Sequence, residues 1–425
     1  MAHLPDLVIN QIFRLVTTKT AVRMSFVSKQ WEGMLSSLPM LDFDEGGDHR
    51  FDRNDNFIQH SKFINILQKY LELCEKDREA TKTTPLDKFR LRMTRYSSRD
   101  ASMVYKLLSS SIERSVKVLD ISLRGCTVKN YYYLCRTNLI NAKTLTTLNL
   151  EYVRMKNIDS WVEPIDYSIS LRLLPSLKTM SFKTVQFDHN ALFFLVWECP
   201  FIEHLSLASC SFELSEIRLL SPTLKSLEIK HCKASRAELY VEDLESLSIV
   251  SSDFPLETVI LERCLKLKHV NICAQFLECF FLHGQCHDVN AVIEAPALFF
   301  FSFRGHLESK FSLKAPNLCK SHIILLNEEF SSFTGQWKHF PKLKDFLQEF
   351  GSCKEMVLYV DDFEVLIFPE DFRKTLASPI LADLEFLELT IENPPTYERD
   401  KQNLKDSLHW MAPALKLIES DVYLN

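Results

Sequence analysis

The chain has 425 residues, 46% of them apolar, with 50 Lys and Arg set against 56 Asp and Glu for a net charge of −6. That length supports either two or three ordinary domains or one long repeat array. The charge balance argues against nucleic acid as the main partner, because such binding draws most of its affinity from phosphate neutralisation. Only 8 glycines are present, and no GxGxxG or GxxxxGK[ST] occurs, so the common phosphate-cradling loops are not encoded. The 12 cysteines form no CxxC, no N-x-Ser/Thr sequon is found, and the start MAHLPDLVIN lacks the basic and long apolar segments of a signal peptide. Apolar runs reach about seven residues, as in Ala191–Trp197, against the roughly 20 that a membrane helix needs. These features predict a reducing compartment, nucleus or cytoplasm, with free thiols, no membrane and no nucleic acid.

From the N-terminus, Leu4, Val8, Ile12 and Leu15 form a stripe at helical spacing, flanked by Ile9, Phe13 and Val16. Pro5 and Asp6 suit a first helical turn. Lys19–Phe26 predicts a second helix, and Ser28 an N-cap for a third that passes Trp31 and stops at Pro39. Three helices this short cannot bury their apolar surface among themselves, so part of it needs a partner or the following domain. Residues 44–56, rich in Gly and Asp, read as a loop. Phe63, Leu67, Tyr70, Leu71 and Cys74 predict a helix from about Phe57 to Glu75, and the alternation in Leu86–Met93 predicts a strand.

From residue 116 a pattern L-x-x-L-x-L returns: VKVLDI, LTTLNL, LKTMSF, IEHLSL, LKSLEI, LESLSI and LKHVNI by residue 272. Weaker copies follow at LECFFL, LFFFSF, LCKSHI, CKEMVL and LEFLEL, the last ending at residue 389. Such a period is the mark of leucine-rich repeats. One strand with three apolar teeth cannot bury them alone, whereas stacked copies make a continuous core under a parallel sheet. Val153, Val185, Cys210, Cys232 and Ser252 stand three residues after the last tooth, where a small side chain turns inward. Cys210 and Cys232 are therefore expected to be buried structural thiols. Residues between the teeth point out onto the sheet face. On that reading His204, Ser206, His269, Asn271, Phe281, His283, Phe300, Ser302 and Arg304 share one concave face. Phe281, His283, Phe300 and Arg304 bring the aromatic and Arg chemistry that usually carries interface energy, and are the candidate target-binding residues.

The N-terminal segment LPDLVINQIFRLVTTKTAVRMSFVSKQWEGMLSSLPMLDFDE resembles a plant F-box. The likeness rests on Leu4-Pro5-Asp6, Ile12-Phe13, Ala21-Val22-Arg23, Val27-Ser28-Lys29, Trp31 and Leu41-Asp42-Phe43. Leu7 and Thr17 depart from the pattern, standing where an acidic residue and a proline are common. The pairing with irregular repeats bearing A-P-x-L strand starts, as in EAPALFFFSFRG, is similar to the plant F-box/LRR group. The tail DSLHWMAPALKLIES is faintly similar to the C-terminal end of F-box/FBD/LRR members. The resemblance implies an α/β chain in which a three-helix F-box (1–45) is followed by a helix–strand connector (46–115), an irregular solenoid (116–390) and a C-terminal cap (391–425). It implies docking to the Skp-type adaptor subunit of an SCF-type ubiquitin ligase through Leu4, Pro5, Ile9, Ile12, Val22, Val27 and Trp31. The repeats then hold an unidentified substrate protein, with no catalytic residue, metal or cofactor. A hormone-receptor-like solenoid that binds a small-molecule signal together with its target is the alternative.

Overall fold

A computed structural model describes residues 38–46, 53–76, 84–125, 130–135, 138–139, 141–156, 174–285, 288–326, 339–376 and 378–420, with residues 5, 8, 11, 12, 16, 18–25 and 31 of the N-terminal segment. The chain divides into two compact units, Met1–Leu214 and Ser215–Asn425.

In the first unit, β1 (Met40–Asp44), β2 (Lys88–Tyr96), β3 (Val118–Gly125), β5 (Thr147–Glu151), β7 (Thr179–Lys183) and β9 (His204–Ala208) pair in that order, every neighbour parallel. A smaller parallel sheet holds β4 (Tyr132–Cys135), β6 (Val153–Lys156), β8 (Gln186–Phe187) and β10 (Ser211–Phe212). Among the described residues, the helices with defined bounds are α1 (Thr18–Ser25), α2 (Arg53–Lys76), α3 (Ala101–Glu113) and α4 (Ala191–Trp197). In α1 the buried residues Thr18, Ala21, Val22 and Ser25 recur at helical spacing, so one stripe faces the core. The sheet already begins at β1, within the stretch read from the sequence as the end of the F-box, and α2 starts at Arg53 rather than Phe57.

The teeth of the repeat behave as their spacing predicts. Leu148 and Leu150, Met180 and Phe182, Leu205 and Leu207 are all buried. The chain then turns through one residue in the left-handed region: Tyr152, Thr184 and Ser209 have φ of 55°, 52° and 52°. This conformation costs a non-glycine residue on the order of 1 kcal/mol. In a chain with so few glycines, burial of the next side chain offsets that cost. Val153, Val185 and Cys210 drop into the core immediately after the turn. Buried Cys210 also donates its thiol to the Phe182 carbonyl at 3.4 Å.

In the second unit the coil carries two strands per turn. One sheet holds β12 (Ser226–Lys230), β14 (Ser246–Ser251), β16 (His269–Ala274), β18 (Asn290–Glu294) and β20 (Lys310–Lys314). The other holds β11 (Glu216–Ser221), β13 (Arg236–Val241), β15 (Thr258–Glu262), β17 (Cys279–His283), β19 (Phe300–His306), β21 (Lys320–Leu326), β22 (Glu355–Asp362), β23 (Phe386–Asn393) and β24 (Leu417–Ser420), again all parallel. The core lies between them: Phe311 of β20 meets Phe301 and Phe303 of β19 at ring separations of 5.6 and 5.0 Å. After β20, helices alternate with the strands: α5 (His339–Gln348), α6 (Glu370–Lys374) and α7 (Glu398–Met411). Phe346 of α5 packs on Phe303 and Phe311, and α7 leads into β24, which extends the sheet into the C-terminal segment.

This arrangement corrects the single-sheet reading. In the second unit the strong copies LKSLEI, LESLSI and LKHVNI lie in one sheet, but the weaker copies from LECFFL onward belong to the other. The corner motif holds at His231 (φ 49°) before buried Cys232 and at Arg263 (φ 58°) before buried Cys264. It fails at Ser252, which is exposed. There β14 runs on to Ser251, which takes the inward position at 3% exposure instead.

Candidate functional site

Two surfaces carry the chemistry expected of this chain, one in each unit. The first is the N-terminal segment and its footing. Of its predicted contact residues, Leu4, Ile9 and Val27 lie outside the described residues. Pro5 is exposed, while Ile12 and Trp31 are half-buried and helical. Val22 is fully buried. It faces inward with Ala21, in a helix that packs on α2 and β1, so its role is to seat α1 rather than to present surface.

The seating is polar as well as apolar. The Asp42 amide donates to Thr18 Oγ1 at 2.7 Å, and Lys19 Nζ donates to the Glu45 carbonyl at 2.9 Å while lying 5.1 Å from the Phe63 ring centroid. Beneath it is an ion cluster that joins α2, β2 and the start of α3. His60 Nδ1 donates to Glu45 Oε1 at 2.7 Å, and its Nε2 lies 3.6 Å from Asp100 Oδ2. Glu45 also accepts from the Thr94 amide and hydroxyl, at 2.5 and 2.9 Å. Asp100 accepts from the Ser97 amide and hydroxyl, at 2.8 and 2.9 Å. Contact with Asp100 and then Glu45 raises the imidazole to about 9 against the opposing effect of burial. Burial alone would raise both carboxyls, but the His60 contacts and the added hydrogen bonds outweigh it and hold each below its ordinary value. A charge-assisted cluster this fully hydrogen-bonded repays its desolvation. Arg114, only 1% exposed, completes the footing: its guanidinium donates to the carbonyls of Leu38 (2.6 Å) and Thr84 (3.2 Å) and approaches the Tyr70 hydroxyl at 3.4 Å. Sequence reasoning missed this cluster, because its members are far apart in the chain and each alone reads as a solvated charge.

The second surface is the outward side of the β15–β17–β19–β21–β22 strands. The structure does bring Phe281, His283, Phe300 and Arg304 together, though on the sheet opposite to His269 and Asn271. Parallel pairing aligns Cys279 with Phe300, Phe281 with Ser302 and His283 with Arg304. The Phe281 ring lies 5.2 Å from Phe300 and 6.0 Å from the His283 ring. Ser302, expected on the surface, is 1% exposed and lies 2.7 Å from His283 Nε2. Burial lowers the His283 pKa; Glu262 opposes this, and His322 and Arg304 reinforce it. The imidazole is therefore neutral at neutral pH. Among the described residues, no group of three or more His, Cys, Asp or Glu is placed to hold a metal ion, and no helix is long and apolar enough to cross a membrane.

The short helical N-terminal segment and the coil of parallel strands each match a known family model. Residues 1–42 match the family model of the F-box domain, and residues 104–254 match that for the repeats of FBD-associated F-box protein At5g56370. Among relatives from Arabidopsis thaliana, F-box/LRR-repeat protein At3g60040 is 25% identical over 60% of this chain and 54% of its own length. Putative FBD-associated F-box protein At5g22720 is 27% identical over 55% of this chain and 44% of its own. F-box/FBD/LRR-repeat protein At1g78750 is 23% identical over 92% of this chain and 71% of its own. The chain is thus similar to plant F-box/LRR-repeat proteins, and it spans about half the length of the first curated relatives it matches.

Proposed function

We propose that this chain is the substrate-recognition adaptor of an SCF-type cullin–RING ubiquitin ligase, acting in the nucleus or cytoplasm. The observation that carries the reading is the joining, in one chain, of an F-box match at residues 1–42 to a repeat coil with an outward aromatic and cationic surface. The F-box binds the Skp-type subunit through Leu4, Pro5, Ile9, Ile12, Val27 and Trp31, with Val22 seating the helix behind them. The repeats hold the target protein. No covalent step takes place on this chain. Its contribution is proximity, which raises the effective concentration of the target beside the ligase.

The test is co-purification of the full chain with a Skp-type subunit, alongside a variant carrying Ile12→Asp and Trp31→Ala. The wild type is expected to co-elute with the subunit at micromolar concentration. The variant should keep its circular dichroism and lose the complex. A folded wild-type chain that fails to bind the subunit at such concentrations ends the adaptor reading.

A further inference from the structure

The outward side of the second unit's longer sheet differs from that of its partner sheet in the same unit. The latter presents Ser246, Ser248, Asn271 and Asn290 on β14, β16 and β18. The former aligns Ile260, Phe281, Ser302, His322 and Val357 across five strands, with Phe300 beside Phe281 and exposed Phe299 next to it. Aromatic side chains of this kind bring large contact area at low conformational cost.

The charges on this face single out one residue. Four Lys or Arg side chains stand on its described strands. Arg218 lies 3.1 Å from Glu216 and 3.3 Å from Glu238; Arg236 lies 2.6 Å from Glu238; Lys320 lies 2.6 Å from Glu355. Arg304 is exposed and has no ion pair among the described residues. In register it stands between His283, which is neutral, and Ile324. An unpaired guanidinium at the edge of an aromatic cluster suits a carboxylate that arrives with an apolar side chain, since the rings shield the ion pair from water.

We propose that this face recognises an extended target segment in which a bulky apolar residue is followed two positions later by Asp or Glu. The inference rests on the adaptor reading and names its substrate class. The spacing comes from strand geometry. Arg304 is one strand across from Phe281 and two residues further along, since it pairs with His283. That places the two side chains about 8 Å apart for strands about 4.8 Å apart that rise about 3.3 Å per residue. In an extended peptide, residues i and i+2 point to the same side about 7 Å apart, and a glutamate reaches the remainder. The apolar residue covers Phe281 and Phe300 while the carboxylate meets Arg304.

A random dodecapeptide phage library selected on the immobilised full chain tests this, with enriched sequences remade as fluorescein-labelled peptides for anisotropy. Enrichment of apolar-x-acidic peptides is expected. Arg304→Glu should weaken their binding by about tenfold or more, because attraction becomes repulsion, and should favour the same peptides with Lys in place of the acid. Arg304→Lys should restore part of the binding, and Phe281→Ala with Phe300→Ala should remove the apolar preference. The proposal is overturned by enriched peptides without an acidic residue, by binding unchanged in Arg304→Glu, by self-association of the chain through this face, or by no enrichment at all. Skp-type subunit co-purification, run on the same preparations, separates the two readings. Retained subunit binding without acidic selection sinks this inference alone, and acidic selection without subunit binding sinks the ligase reading.

Discussion

Replacing His60 with Gln removes the charge at the centre of the cluster that holds α2 to β2 and α3. The side chains of His60, Glu45 and Asp100 are only 13%, 2% and 11% exposed, so solvent screens them little. An imidazole raised from 6.5 to about 9 by folding stabilises the folded state by about 3 kcal/mol. The sign depends on which form the fold prefers. The folded chain favours the protonated ring, so this contribution is complete below pH 6.5, shrinks as pH rises, and is gone above about 9. The two carboxyls, held low, contribute above their ordinary range and lose that contribution as pH falls through their folded values. The cluster is thus most stabilising between the carboxylate range and pH 6.5. Urea denaturation and hydrogen exchange of the α2 amides, measured from pH 6 to about 9.5, read this directly. Relative to wild type, His60→Gln should cost about 4 kcal/mol at pH 6, and the gap should close toward about 1 kcal/mol at the alkaline end, where only a neutral hydrogen bond separates them. A gap that stays constant across that range refutes the charge assignment.

The packing sets three further outcomes. Arg114→Ala should destabilise the first unit by about 3 kcal/mol, because it strips donors from two buried carbonyls and opens a cavity; a change under about 1 kcal/mol in denaturant midpoint analysis would show that water replaces the guanidinium. Phe303→Ala, which removes a fully buried ring from contact with Phe311 and Phe346, should cost about 3–5 kcal/mol, with lost exchange protection confined to the second unit. Among the cysteines whose burial is described, iodoacetamide with peptide mass mapping of the native chain should label exposed Cys273 first. Burial pushes the Cys353 thiol up to about 11 and Cys199 higher still, so both should react only on unfolding. Early labelling of Cys353 would contradict its burial.

The local repeat was legible because its signal is local. Alternation of period two marks teeth such as Leu148 and Leu150 whatever the strand pairs with, and buried Cys210 and Cys232 followed from their offset after the last tooth. The short helix expected at Lys19–Phe26, which is α1, and the helix through Phe63, Leu67 and Tyr70 were legible for the same reason. Sheet membership was not. LKHVNI and LECFFL share one pattern of apolar teeth, yet one strand lies in each sheet of the second unit, because an inward row looks the same from either side of a core. Only the stacking of successive turns decided that Phe281 and Arg304 face away from His269, and that Ser252 yields its place to Ser251. The His60 cluster was hidden for a related reason: residues 45, 60 and 100 meet only once β1, α2 and α3 have packed. The amino-acid sequence determined where the apolar teeth of the repeat fall and which known proteins this chain resembles. The tertiary structure decided which face each outward residue joins, since that depends on pairings between residues far apart in the chain.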